Sequence, residues 1–301
     1  MIQAVRSYLV AGRQAGLSDT TLKQYGWHLE RLTSWLLDHD VVGVADVTRD
    51  LLREWGAGLR DAWSPATVKQ AVGAARALFL WCHEEGIIIS DPGRALKVPR
   101  VPKRVQRTIT SAEVAVMLGA CDSGTPKGAR DAALILLLVD TGLRASEVCR
   151  CEVTKLNLEG QRLVVRVKGG HDGLARFGKA TAWRLAAWLN VRSEVAVDGV
   201  GNVFVSVGGN TPGRALTVRG LRSILRRRGD LAGVGGVTTH AFRRGFACIT
   251  HQLGAPSRQV MGVGRWAHIR EVERYTQALE AEGFYDRWSP ADYVENNHLG
   301  V

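Results

Sequence analysis

A break at residues 92–107 constrains this 301-residue chain more than any other feature. The stretch PGRALKVPRVPKRVQR holds three prolines, Pro92, Pro99 and Pro102, and six basic residues without one acid. Proline fixes φ and removes an amide donor, so no continuous helix runs through it and extended backbone is favoured. The segment reads as an interdomain linker over residues 91–109. It is either a solvated strip or a strip lying against phosphates, and the single sign of its charge favours the second. Each flanking half is long enough to bury its own core.

The first half, residues 1–90, reads as short helices. One covers Ile2 to Gly16. A second runs from an N-cap at Ser18 through Asp38, with Leu22, Tyr25, Leu29, Leu32 and Leu36 at helical spacing. A third covers Asp50 to Leu59. In the fourth, Ser64 caps, Pro65 takes the first helical position, and Val68, Val72, Ala75, Phe79 and Cys82 form the apolar stripe. Four such helices make a small bundle.

The second half, residues 110–280, opens on a capping-box pattern, Thr110 with Glu113. Helices are expected from Ser111 to Cys121, from Lys127 to Thr141 and from Arg144 to Arg150. The period then changes. Lys155 to Leu158, Gln161 to Val167 and Leu174 to Gly178 read as three short strands joined by Gly-rich turns. Helices resume at Ala180–Val191, Thr217–Arg228, His240–Leu253, Ser257–Gly262 and His268–Glu280. The fold class is therefore mainly α with a small antiparallel β-sheet (α+β).

The formal charge of +11 and pI near 9.9 favour a polyanionic partner, nucleic acid ahead of a membrane surface. No apolar run approaches the length of a membrane span, and the N-terminus lacks the apolar core of a secretory signal. A cytoplasmic protein is the expectation. The five cysteines, Cys82, Cys121, Cys149, Cys151 and Cys248, contain no CxxC pair, so they read as buried thiols.

Four segments carry chemistry-bearing residues: TGLRASEV with Arg144 and Glu147, VKGG with Lys168, HAFRRGF with His240 and Arg243, and GRWAHIREVERYT with Trp266 and Tyr275. Singly, each has a plain structural reading: a capping arginine, a solvated turn lysine, a paired helix face, a packed ring. Together and in order they resemble the tyrosine recombinases, the family of phage integrases and bacterial Xer proteins. TGLRxSE resembles its first arginine box and His-x-x-Arg its second. A lysine in a β-turn lies between them, and a His or Trp lies nine residues before the tyrosine. Here Arg144 to Lys168 is 24 residues, His240 to Tyr275 is 35, and Trp266 to Tyr275 is nine. GLSDTTLKQYGWHLERL is similar to the family's core-binding helical (SAM-like) domain, so the likeness spans nearly the whole chain.

That resemblance implies an enzyme that breaks and rejoins DNA through a 3′-phosphotyrosine, without ATP, metal or other cofactor. Arg144 and Arg243 would clamp the phosphate oxygens, because arginine stays charged and offers forked donors. Glu147 would orient its neighbours. Tyr275 would be the nucleophile and His240 would handle its proton. Lys168 would protonate the departing 5′ oxygen, and the indole N–H of Trp266 would donate to a phosphate oxygen. Two departures stand out. Trp266 occupies a position that is often His, with His268 two residues on, and Arg265 occupies the usual glycine.

The expected DNA contacts are Arg94, Lys97, Arg100, Lys103, Arg104 and Arg107 in the linker, Arg176 in the hairpin, and Arg222 and Arg226 on a helix that also bears Arg219, Arg227 and Arg228. His171 is a further candidate beside the DNA. The partners implied are double-stranded attachment or core sites, held by a C-shaped clamp of two domains. A homotetramer on two duplexes is implied as well, with room for an accessory DNA-bending or directionality factor. The aromatic-rich tail 281–301 would dock on a neighbouring protomer. The chain starts almost at the first core-binding helix, so a short form without an arm-binding domain is expected. Integration or excision of a phage or mobile element is the expected use. A Xer-type dimer resolvase, a type IB topoisomerase and a non-catalytic repressor on the same fold are the rivals.

Overall fold

The computed structural model describes residues 1–101, 106–167 and 170–282, with side chains as far as residue 276. Lys103, Arg104, Lys168 and the tail 283–301 lie outside the described residues. The chain divides into two compact units, Met1–Arg104 and Val105–Val301.

The first unit holds α1 (Ile2–Gln14), α2 (Asp19–Leu37), α3 (Arg49–Ala62) and α4 (Pro65–Glu84). Ser18, Thr48 and Ser64 each accept a hydrogen bond from the amide three residues on, which starts α2, α3 and α4. The apolar stripes meet in one core of Leu29, Leu32 and Leu36 from α2, Leu52 and Trp55 from α3, and Val72, Leu78 and Phe79 from α4. The chain after α4 stays with this unit longer than its prolines suggest. Pro92–Ala95 form a 3₁₀ turn begun by Asp91, whose carboxylate accepts from the Gly93 amide, and Leu96 is buried in the same core. The basic strip is thus narrower than 91–109.

The second unit holds α5 (Ser111–Gly119), α6 (Pro126–Thr141), α7 (Ala145–Cys149), β1 (Leu156–Asn157), β2 (Arg162–Arg166), β3 (Asp172–Arg176), α8 (Lys179–Val195), α9 (Val218–Leu231), α10 (Thr239–Gln252), α11 (Ser257–Gly264) and α12 (Ile269–Glu282). Helix α6 is the centre of its core. Leu134, Ile135, Leu137 and Leu138 are all fully buried, which explains why AALILLLV shows no polar face. The strands form an antiparallel sheet in the order β1-β2-β3, with Val165 opposite Gly173 and Arg166 opposite Asp172. The fold class is as expected, and one strand, β3, is shifted. β3 starts at Asp172 because the hairpin closes tightly, with the Val167 amide donating to the His171 carbonyl. It ends at Arg176 because the Gly178 amide turns to the Asp140 carboxylate, which also takes the Thr181 hydroxyl and so anchors the start of α8.

Asp131 of α6 is fully buried and takes both Arg130, at 2.7 Å, and Arg228, at 2.7 Å, with Arg227 at 3.6 Å. Arg228 therefore faces inward and is not part of the basic side of α9, a correction to the sequence reading. Arg219, Arg222, Arg226 and Arg227 are the exposed ones. All five cysteines are buried and free. No helix among the described residues is long and apolar enough to cross a membrane.

Candidate active site

The site is built where α6 ends. Gly142 stops α6 in a left-handed conformation, φ 59°, and a Cβ there would sit 2.8 Å from the Phe246 ring, so glycine is required. The turn delivers Arg144 to the N-cap of α7. Glu147, almost fully buried, holds it twice: Oε2 accepts from the Arg144 amide at 2.8 Å and Oε1 from Nη1 at 2.9 Å. One carboxylate thus fixes both the backbone and the head of Arg144, and leaves the rest of the guanidinium free to meet an anion.

Arg243 reaches the same place from α10. It is 5% exposed, donates from Nη1 to the Gly142 carbonyl, and lies 4.1 Å over the Trp266 ring. Its Nη2 is buried with no hydrogen-bond partner among the described residues. Burial, then the nearby Arg144, push its pKa down to about 10, which leaves it charged at neutral pH. An unpaired donor on a buried cation, beside a second cation, is a place prepared for a negative group.

His240 starts the same helix and stands at the exposed edge of the site. Its pKa is lowered by lost hydration and by Arg244, Arg243, Arg222 and Arg144, so the neutral imidazole is favoured. Trp266 and Tyr275 complete a small cluster with Phe246, Ala247, Val260 and Val272. Trp266 stacks on Phe246 at 6.0 Å and lies 6.4 Å from the Tyr275 ring. Gly264 makes room for it, since a Cβ there would overlap the indole at 1.9 Å. Of Trp266 and His268, it is Trp266 that touches Arg243 and Tyr275. His268 is exposed and lines a separate groove with Arg258, Arg270 and Arg274. Burial lowers the pKa of Arg243 and of Arg244, and the Tyr275 phenol is close enough to both to offset part of that.

The structure thus gathers Arg144, Glu147, His240, Arg243, Trp266 and Tyr275. Lys168 lies outside the described residues, in the connection between β2 and β3. Arg222 is drawn into the site's field through His240. Arg226, Arg176, Lys97, Arg100 and His171 are exposed. Arg94 is exposed and pairs with Asp91 at 3.6 Å. Arg107, an expected DNA contact, has partners within the second unit. It donates to both Glu113 oxygens and to the Gly235 and Thr108 carbonyls, so the second unit's own packing engages its guanidinium.

The place of three residues at the site escaped the sequence reading. Arg244 donates to the Arg107 carbonyl at 2.8 Å and stands beside Tyr275. The Cys248 thiol donates to the Tyr275 carbonyl at 3.2 Å. The spacing His240, Arg244, Cys248 is one helical stripe and was the signal available. Arg265 caps α11 in a left-handed conformation, φ 56° and ψ 45°, a state costing a non-glycine residue roughly 1–2 kcal/mol.

Residues 107–282 match the model of the phage integrase family. The chain belongs to the phage integrase family. It is a tyrosine recombinase, an enzyme of site-specific DNA cleavage and rejoining. A curated relative, the tyrosine recombinase XerC of Corynebacterium efficiens, is 29% identical over 288 residues, covering 92% of this chain and 87% of the relative. Among solved structures, a lambda integrase (75–356) dimer bound to a COC′ core site superposes with TM-score 0.72 at 16% identity, over 91% of this chain and 94% of that one. The XerH recombinase bound to palindromic difH substrate, a post-cleavage complex, gives 0.69 at 19%, over 92% and 83%. At these identities the solved structures speak for the recombinase's fold.

Proposed function

We propose that this recombinase cleaves duplex DNA by attack of the Tyr275 hydroxyl on a phosphorus held between Arg144 and Arg243. The observation that carries the reading is the buried, unpaired Nη2 of Arg243 beside the Glu147-fixed Arg144, with Tyr275 across the Trp266 ring. The O–P bond to tyrosine forms as the bond to the 5′ oxygen breaks. His240, held neutral, accepts the phenolic proton. Lys168 protonates the leaving 5′ oxygen, a role the family pattern implies for it. A 5′-hydroxyl from a partner duplex then attacks the 3′-phosphotyrosine and restores a phosphodiester. One ester replaces another, so no ATP is consumed.

The substrate is double-stranded DNA carrying short core sites. The solved relatives bound to core-site and difH DNA support it, as do the charge of +11 and the exposed Arg222 and Arg226. The biological use is integration and excision of a mobile element, supported by Trp266 standing where many members of the family have His. Chromosome dimer resolution is the second reading, favoured by Xer relatives that match this chain nearly end to end. Assembly is a tetramer on two duplexes, with the tail 281–301 docking on a neighbouring protomer. Gel filtration of a chain ended after Ala281, mixed with site DNA, tests the tail. A normal tetramer would remove its role.

A plasmid with two directly repeated candidate sites tests the whole reading. Wild type should delete the intervening segment and Tyr275→Phe should not. Deletion with the attachment core flanking the gene, and none with a chromosomal dimer-resolution site, marks the integrase use. The reverse marks the resolvase.

A further inference from the structure

We infer that Arg265 is a positioning residue for strand cleavage, one side chain that fixes the three site-bearing segments relative to one another. The inference rests on the roles given above to Tyr275, Arg144 and Lys168.

A glycine would end α11 at least cost, because the backbone at Arg265 is left-handed. An arginine held there is repaid through its side chain. Nη2 donates to the Thr141 carbonyl at 3.1 Å. Nη1 donates to the Val263 carbonyl at 2.9 Å and reaches the Leu174 carbonyl at 3.4 Å. These partners belong to different parts of the site. Thr141 ends α6, three residues before Arg144. Leu174 lies on β3, in the hairpin whose connection carries Lys168. Arg265 itself precedes Trp266 and the helix of Tyr275.

Two further observations agree. The next carbonyl along, that of Gly142, is taken by Arg243, so successive carbonyls of one bend are held by two arginines from two elements. Gly173 of β3 lies so near that a Cβ there would sit 3.5 Å from Cδ of Arg265. A fork with several fixed donors can span three segments at once, whereas a lysine ammonium offers a single point. The tether orders the tyrosine segment against the phosphate clamp. It acts through Trp266, Tyr275 and Arg144 and touches no reacting atom itself.

The test uses the full chain and a nicked suicide substrate carrying its core site. Single-turnover formation of the covalent adduct is timed at saturating protein, with DNA affinity and melting temperature measured on the same preparations. Arg265→Gly, which relieves the backbone, should slow adduct formation at least about tenfold while melting and affinity stay near wild type. Arg265→Lys should fall between the two. An Arg265→Gly rate within about threefold of wild type would overturn the inference. So would a loss of affinity with the maximal rate kept, or a rate loss that only follows the unfolded fraction. Should Arg265→Gly fail to fold, Arg265→Lys decides: a slowed rate at wild-type affinity supports the tether, and a wild-type rate overturns it. An adduct persisting in Tyr275→Phe would instead sink the site assignment. A normal Arg265→Gly rate with no Tyr275→Phe adduct sinks this inference alone.

Discussion

Arg243 leaves Nη2 unpaired among the described residues in a buried position, although a buried unpaired donor costs about 1–3 kcal/mol. A fold tolerates that where a ligand supplies the missing partner, and in the function proposed above that partner is a phosphate oxygen. Arg243→Ala should therefore lower single-turnover cleavage by about 10²–10³, the usual loss for one oxyanion donor, with DNA binding much less affected. Arg243→Lys should be nearly as poor, because an ammonium cannot hold the Gly142 carbonyl and an anion in the same fork geometry. His240 gives a second test at this scale. As a base it acts when neutral, and its pKa is lowered, so activity should persist below the ordinary imidazole value of about 6.5. The acid limb of kcat/KM, which reports the free enzyme, should lie below that pH. A limb at or above it would remove His240 from the role.

The elements show what sequence could and could not tell. Caps and stripes were legible because they are local: Ser64 with Pro65 starts α4, and Val68, Val72, Ala75, Phe79 and Cys82 are all buried. The unbroken apolar run of α6 was legible as a core helix. Family spacing picked out Arg144, Glu147, His240, Arg243, Trp266 and Tyr275, which the structure brings together, and Lys168, which lies outside the described residues. Long-range partners were not. Nothing near Arg107 in sequence announces that Gly235 waits for it, and nothing in the RRR run of α9 says that Arg228 turns inward to Asp131, 97 positions away. The role of Arg265 was hidden for the same reason, since its tethers lie 124 and 91 positions off. The Asp131 cluster supplies an element-scale prediction. Asp131→Ala strands Arg130 and Arg228 in the core, so unfolding in urea should show a loss of about 3–5 kcal/mol. A loss below about 1 kcal/mol would mean the cluster is solvated and of little weight.

At the scale of the molecule, DNA binding should be dominated by phosphate contacts. The exposed Arg219, Arg222 and Arg226 of α9, with Lys97 and Arg100 before the second unit, carry charge without an engaging carboxylate among the described residues. If about six to ten phosphates are neutralised, affinity should fall by about 10³–10⁵ between 50 and 200 mM salt. Arg222→Ala and Arg226→Ala should each lower the slope of log affinity against log salt by about one. A flat salt response would place recognition elsewhere. The most direct measurement of the central claim is the mass of the covalent adduct. The full-length protein is trapped on a suicide substrate, digested with protease and nuclease, and the peptide bearing the nucleotide is sequenced. A 3′-phosphonucleotide on Tyr275, absent from Tyr275→Phe, is the result predicted here. An adduct on any other residue, Tyr285 included, would contradict the site built around Arg144 and Arg243.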